Sequence, residues 1–275
     1  MQEITYISSR ANPFVQKYAK LTDKKYRENE KLFLLEGAKL FAEAVDFGIG
    51  IEAVLLCEEK THAITERTLQ KMQNVSIYAQ TKLFRLSESV FTKISTEKSP
   101  DGVICVAKHL DNFNFYNKIE RNDVLRCADE KIMLLYALRD PGNVGTIARS
   151  AAAFGFDRLI VSADTADPYG SRAMRAAMGA FFKLKVDFVS DFSSVPAALM
   201  ETGRRVFCAE LREGAVSLDD LQITASDCFM IGNEGHGIPK ELSAICTGSV
   251  YIPIAPNSES LNAAIAASIL AFVQK

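Results

Sequence analysis

No apolar run in this chain approaches the roughly 18 to 20 residues that a bilayer-spanning helix needs. The opening residues, Met1–Gln2–Glu3–Ile4–Thr5, lack the basic and apolar regions of a secretory leader. A cytoplasmic protein without membrane contact is the expectation. There is no C-x-x-C pair. The cysteines Cys57, Cys105, Cys127, Cys208, Cys228 and Cys246 are scattered, which argues against zinc ligation and against a disulfide framework. Several, such as Cys105 within Val103–Ile104–Cys105–Val106, read as small buried hydrophobes. His62, His109 and His236 are too far apart for a local metal motif, so no metal is expected. Neither sign of charge dominates: 32 Lys and Arg stand against 34 Asp and Glu, for a net charge of −2. That balance argues against an indiscriminate polyanion binder but not against a local basic patch.

What is present fits one large or two smaller globular domains. The 275 residues are 48% apolar, enough for substantial cores, and 24% charged, too few for global disorder. Between Arg10 and Lys31 lie Arg10, Lys17, Lys20, Lys24, Lys25, Arg27 and Lys31 against Asp23, Glu28 and Glu30, with Phe14, Tyr18 and Tyr26 among them. A solvated helical face accounts for this pattern; a phosphate-tracking, base-stacking surface is the functional alternative.

The first half alternates short apolar runs with amphipathic stretches. Leu32–Phe33–Leu34–Leu35 reads as a strand, and Gly37 opens a helix carrying Leu40, Phe41, Ala44 and Val45. Ala53–Cys57 and Val75–Tyr78 read as further strands, and Gly102–Ala107 as another after the turn signal Ser99–Pro100–Asp101–Gly102. This predicts a small α/β domain over 1–108. Residues 109–129, rich in Asn, Asp, Lys and Arg, read as a linker. A second domain, 130–275, opens with Ile132–Leu138, apolar on both faces as in a covered parallel sheet. A turn at Asp140–Pro141–Gly142 leads to a helix ending at Gly155, and Arg158–Val161 completes a βαβ unit. Cys228–Ile231 and Val250–Ile252 are later strands. A final helix from about Ser260 to Phe272 has Leu261, Ile265, Ile269 and Phe272 as its expected core face and alanines allowing close approach.

Polar groups cluster at strand ends in this second half. Asn143 stands at a helix start, where a cap is the plain reading, and Arg149 lies further along the same helix, where a surface charge is. The loop follows a parallel strand at the end where open α/β sheets bind ligands. Gly232–Asn233–Glu234–Gly235–His236–Gly237 lets backbone approach a ligand closely, or is simply a tight turn with a solvated carboxylate. It is neither a Walker loop nor the G-x-G-x-x-G fingerprint, which counts against a nucleotide- or dinucleotide-dependent enzyme. Ser258 or Ser260 is the expected cap of the last helix, with Asn262 inside its first turn.

Taken together, Asn143-x-Gly145-x-x-x-Arg149, Gly232–Asn233–Glu234–Gly235 and Ile252–Pro253…Ser260–Leu261–Asn262 closely resemble the three motifs of the SpoU (TrmH-like) RNA ribose 2′-O-methyltransferases. Pro168–Ala180 resembles that family's middle region. Phe33–Leu34–Leu35–Glu36–Gly37 and Ser99–Pro100–Asp101–Gly102–Val103 are similar, more loosely, to the RNA-substrate-binding domain often fused ahead of it. The resemblance implies an α/β fold: a ribosomal-protein-L30e-like N-terminal domain, then a SPOUT domain with a parallel sheet and a trefoil knot. It implies S-adenosyl-L-methionine as cofactor, held by Gly232, Gly235, Ile252 and Leu261. Arg149, Asn143, Glu234, Ser260 and Asn262 would form the catalytic set, and the protein would be a homodimer acting on RNA. Ribosomal RNA is favoured over tRNA. A non-catalytic RNA-binding or ribosome-assembly protein on the same fold is the alternative.

Overall fold

The computed structural model describes residues 4–60, 63–257 and 260–275. Ser258, one of the two expected caps, therefore lies outside the described residues. The chain divides into two compact units, residues 1–110 with 167–182, and residues 111–166 with 183–275.

The first unit is built on a five-stranded mixed sheet of β1 (Ile4–Ile7), β2 (Leu32–Glu36), β3 (Ile51–Cys57), β4 (Lys82–Leu86) and β5 (Val103–Lys108), in the order β1-β4-β3-β5-β2. β1, β4 and β3 run parallel, and β5 is antiparallel to both β3 and β2. Every residue of β2 is buried, as its apolar run requires. The expected strand at Val75–Tyr78 is instead a 3-10 turn over Ser76–Tyr78. Val75 and Ile77 are exposed there, while the Tyr78 hydroxyl donates to the Val45 carbonyl. The strand comes later, at β4.

Two stretches singled out in the sequence interlock in this unit. Gly37, at φ +110, caps the helix Ala38–Asp46, and Asp101 Oδ2 accepts from the Ala38 N–H at 2.8 Å. The buried Glu36 carboxylate accepts from the Thr96 N–H at 2.7 Å. The segment 167–182 belongs here by its packing. Tyr169 stacks on His109 at 4.1 Å and accepts from the Leu110 N–H, Asp167 takes Arg27 at 2.7 Å, and Arg175 pairs with Glu36 and Glu97. Arg27 is thus a buried anchor rather than part of a solvated basic face. Lys20, Lys24 and Lys25 remain exposed.

The second unit holds an eight-stranded sheet in which every pairing is parallel. Its strands are β6 (Phe113–Tyr116), β7 (Ile132–Leu135), β8 (Arg158–Ser162), β9 (Lys185–Val189), β10 (Val206–Ala209), β11 (Val216–Ser217), β12 (Cys228–Ile231) and β13 (Gly248–Tyr251). Their order is β11-β13-β10-β12-β7-β8-β9-β6. The polar stretch read as a linker contains β6, an edge strand whose alternation leaves Phe115 73% exposed over Phe188. β7, β8, β9 and β12 are buried almost throughout, as strands covered on both faces must be. The chain runs from β7 through β8 to β9 on one side and then crosses to β10 on the other. That reversal opens a crevice beside β7, where open α/β sheets place their ligands.

The helix Ala263–Val273 packs on the helix Pro141–Ala153 through a Ser150–Ser268 hydroxyl contact at 2.7 Å. Its orientation reverses the expected one. Ala264, Ala267, Leu270 and Ala271 are buried, whereas Ile265 and Phe272 are 51% and 49% exposed. The alanines permit close approach to the neighbouring helix, which turns the large side chains outward.

Candidate active site

Three sequence segments far apart in the chain meet at the carboxyl ends of β7 and β12. The helix Pro141–Ala153 is capped by Asp140, whose Oδ1 accepts from the Gly142 N–H, with Pro141 at the first helical position. Asn143 is therefore not the cap. It sits inside the first turn, and its amide is free for longer-range bonds. Nδ2 donates to Glu234 Oε1 at 2.9 Å, and Oδ1 accepts from Asn262 Nδ2 at 3.0 Å. Asn262, expected inside its helix, is itself the cap: its Oδ1 accepts from the Ala264 and Ile265 N–H groups. One continuous hydrogen-bonded chain thus runs Glu234–Asn143–Asn262.

Glu234 is the most heavily solicited acceptor in this chain. Its oxygens also accept from the Arg139 N–H at 3.0 Å and the Asp140 N–H at 3.1 Å. Partial burial opposes its ionisation, but the Arg139 N–H, the Asn143 amide and the Asp140 N–H outweigh it and hold the carboxyl below the usual carboxylate range. The loop is set by Asn233, whose Oδ1 accepts from the Gly235 and His236 N–H groups while Nδ2 donates to the Ala137 carbonyl at 2.7 Å. Gly232 is sterically required: a Cβ there would lie 2.6 Å from Ile238 Cγ1 and 2.7 Å from the Gly237 carbonyl carbon. Gly235 lines the crevice together with Glu234.

Two residues of the site carried no role in the sequence reading. Arg139 supplies a backbone donor to Glu234 and binds Asp164 through its guanidinium at 3.1 Å. Asn233 forms the turn. The signal for Asn233 was available, because Asn ahead of Gly favours a side chain closing its own turn.

A cavity of about 490 Å³ adjoins the carboxyl ends of β10 and β13. Ile252 and Leu261 line it, with Leu211, Ile254 and Ala266 as further apolar walls, and Ser260 stands at its edge outside the final helix. The one carboxylate there, Glu210, is already engaged by Ser243 at 2.6 Å, Ser249 at 2.7 Å and Arg212 at 3.1 Å. The backbone N–H groups of Leu211, Ile252 and Leu261 have no hydrogen bond to another described residue. Arg149 lies six residues beyond Asn143, about 9 Å along the helix and about 120° round it. It is exposed, and no described residue pairs with it.

The chain matches known proteins over nearly all of its length. Residues 130–272 match the SpoU rRNA Methylase family, and residues 12–105 match the MRM3-like substrate binding domain. The chain belongs to the SpoU rRNA methylase family. It is 29% identical over 266 residues to the 23S rRNA (guanosine(2553)-2'-O)-methyltransferase RlmP of Bacillus subtilis (strain 168), covering 97% of each chain. It is 26% identical over 298 residues to the mitochondrial rRNA methyltransferase 3 of Mus musculus, covering 91% of this chain and 68% of that one. Among solved structures, the AdoMet-bound rRNA methyltransferase from Sinorhizobium meliloti superposes with a TM-score of 0.80 at 26% identity, covering 98% of this chain and 97% of that one. No helix among the described residues is long and apolar enough to cross a membrane.

Proposed function

We propose that this protein transfers a methyl group from S-adenosyl-L-methionine to a ribose 2′-hydroxyl of ribosomal RNA. The observation that carries the reading is the Glu234–Asn143–Asn262 chain, held at the sheet's carboxyl edge beside an apolar cavity. The cavity suits the cofactor. Flat apolar walls fit an adenosine, the free N–H groups of Leu211, Ile252 and Leu261 suit its polar edges, and the local carboxylate is neutralised by its own partners. Ile252 and Leu261 hold it through backbone and apolar surface, while Gly232, which has no room for a Cβ, fixes the course of the loop that carries Gly235 in the neighbouring crevice. Once bound, the cofactor supplies a methyl group activated on a positively charged sulfur.

The chain must then align a weakly acidic alcohol and stabilise the charge it develops. Arg149 cannot serve as a base, because a guanidinium is effectively always protonated. Its role is to bind the phosphate beside the acceptor ribose and to stabilise the forming alkoxide, the hydroxyl proton passing to that phosphate as the methyl is taken up. Asn143, Glu234, Ser260 and Asn262 orient that ribose. The N-terminal unit binds the RNA, with Lys20, Lys24, Lys25 and the exposed Tyr26 on its surface.

The protein acts as a cytoplasmic homodimer, for which the outward Ile265 and Phe272 provide an apolar face. Its C-terminal segment threads as the trefoil knot of its family. The test is transfer of labelled methyl from the cofactor to unmodified ribosomal RNA and tRNA transcripts, followed by mapping of 2′-O-methyl positions. A mapped ribose in ribosomal RNA supports the reading. Calorimetric RNA binding without any cofactor binding would replace it with an assembly role.

A further inference from the structure

The crevice at the sheet's topological switch carries a second cavity, separate from the apolar one. One lobe, about 660 Å³, is lined by Tyr136, Arg139, Asp164, Glu234, His236 and Pro239 among others. A second lobe, about 450 Å³, shares Tyr136, Asp164 and Pro239 and adds Ser190, Ser193 and Glu241. Both fall within the roughly 300–1,000 Å³ range of small-molecule sites.

The lining has a definite chemistry. Tyr136 rests its ring against Phe192 at 5.6 Å, and its hydroxyl has no partner among the described residues. His236 and Pro239 present further flat surfaces. Three carboxylates, Asp164, Glu234 and Glu241, face the space against one guanidinium, Arg139, which Asp164 already binds. Such a lining repels phosphate and accepts hydrogen bonds from a flat donor. Glu234 receives three hydrogen bonds, two of them from main-chain N–H groups, and Asp164 accepts from Ser162 and Arg139. Glu241 is exposed and has no ion pair or hydrogen bond to a described residue. It is the free acceptor.

We propose that this cleft binds the unstacked base of the RNA acceptor nucleotide, and that the base is guanine. RNA is recognised in sequence mainly through splayed bases stacked on aromatic side chains and hydrogen-bonded along their edges. Guanine offers two adjacent donors, N1–H and the 2-amino group, to the two oxygens of one carboxylate, a fork-to-fork match. Tyr136 and Pro239 flank the ring, and Glu241 reads its edge. Glu234 belongs to both the cleft and the Asn143–Asn262 chain, so a base seated here brings its ribose toward the residues that orient it. The proposal rests on the methyltransferase reading and adds the determinant of the acceptor base.

The test uses the full chain with S-adenosylhomocysteine at saturation, so that the cofactor cavity is blocked. Guanosine, inosine, adenosine, cytidine and uridine monophosphates are compared by saturation-transfer NMR. Guanosine monophosphate should bind at least fivefold more tightly than inosine monophosphate, which lacks the 2-amino group. Glu241→Gln should abolish that preference, and Tyr136→Leu should weaken binding of every base. On ribosomal RNA, Glu241→Gln should raise KM at least fivefold while kcat and S-adenosylhomocysteine affinity stay within twofold of wild type. Equal binding of all the monophosphates, or no binding of the guanine nucleotide, overturns the proposal. Loss of guanosine monophosphate in Glu241→Gln without a change in KM also overturns it, assigning the cleft to a free nucleotide. Failure of the wild type to bind S-adenosylhomocysteine counts instead against the methyltransferase reading.

Discussion

At the end of β2, Glu36 and Asp101 close a strand-to-helix turn: one carboxylate takes the Thr96 N–H, and the other caps the helix Ala38–Asp46. At the end of β12, Glu234 and Asn143 occupy a comparable strand-end position. Both clusters join an acidic side chain, a glycine and a second sequence segment. They differ in what remains accessible. The Glu36 side chain is 3% exposed, with its local donors and Arg175 around it. Glu234 and Asn262 stay at the surface, and their bonds to Asn143 span 91 and 119 residues of sequence. The cluster that closes the turn is sealed by its own partners, whereas the cluster proposed for chemistry is held in place and left open to a ligand.

Substitutions in the two clusters should separate folding from turnover. Gly232→Ala has the largest expected effect. The added methyl must displace the Gly237 backbone, so methyl transfer should fall to background and stability by about 1–3 kcal/mol. Activity and a thermal melt on the same sample check both. Asn143→Ala removes both links of the polar chain. It should lower kcat about 10²-fold through misalignment and stability by roughly 1–2 kcal/mol. It should also shift the acid limb. A carboxyl held below its ordinary value stabilises the fold above the ordinary range and loses that contribution as pH falls through its folded pKa. Without the Asn143 donor that pKa rises, so acid loss should begin at higher pH.

Asp101→Ala, in the first unit, should cost about 1 kcal/mol as a lost cap and leave kcat unchanged. A kcat effect there would break the distinction between the two clusters. Smallest of all is neutralisation of Lys20, Lys24 and Lys25. Ribosomal RNA affinity should weaken and the log–log salt slope flatten by up to about 2, with no change in cofactor affinity. An unchanged slope would return these lysines to a solvated face.

The motifs, the parallel second sheet and the strands β2, β3, β5, β7, β8 and β12 were legible because long apolar runs and glycine turns mark them. What was missed depends on tertiary competition. Asp140 and Asn143 are both capping residue types, and only the Pro141 that follows Asp140 tips the choice. β6 hid in a polar stretch because an edge strand need not be apolar on both faces. The final helix turned its alanines inward because close packing on the Pro141–Ala153 helix outweighed the burial of Ile265 and Phe272. The segment 167–182 gave no sign that its anchors are Arg27, His109 and Glu36. Those contacts arise between residues that no local pattern connects.

We propose that the open cluster serves transfer of a methyl group, with Arg149 as the cation that stabilises the acceptor. Arg149→Ala tests it most directly, because the side chain is exposed and has no described partner to lose. Methyl transfer to ribosomal RNA, cofactor affinity and the melting temperature are to be measured on one preparation. The rate should fall by about 10²–10³-fold, with cofactor affinity and melting temperature unchanged. A near-wild-type rate would contradict the proposal.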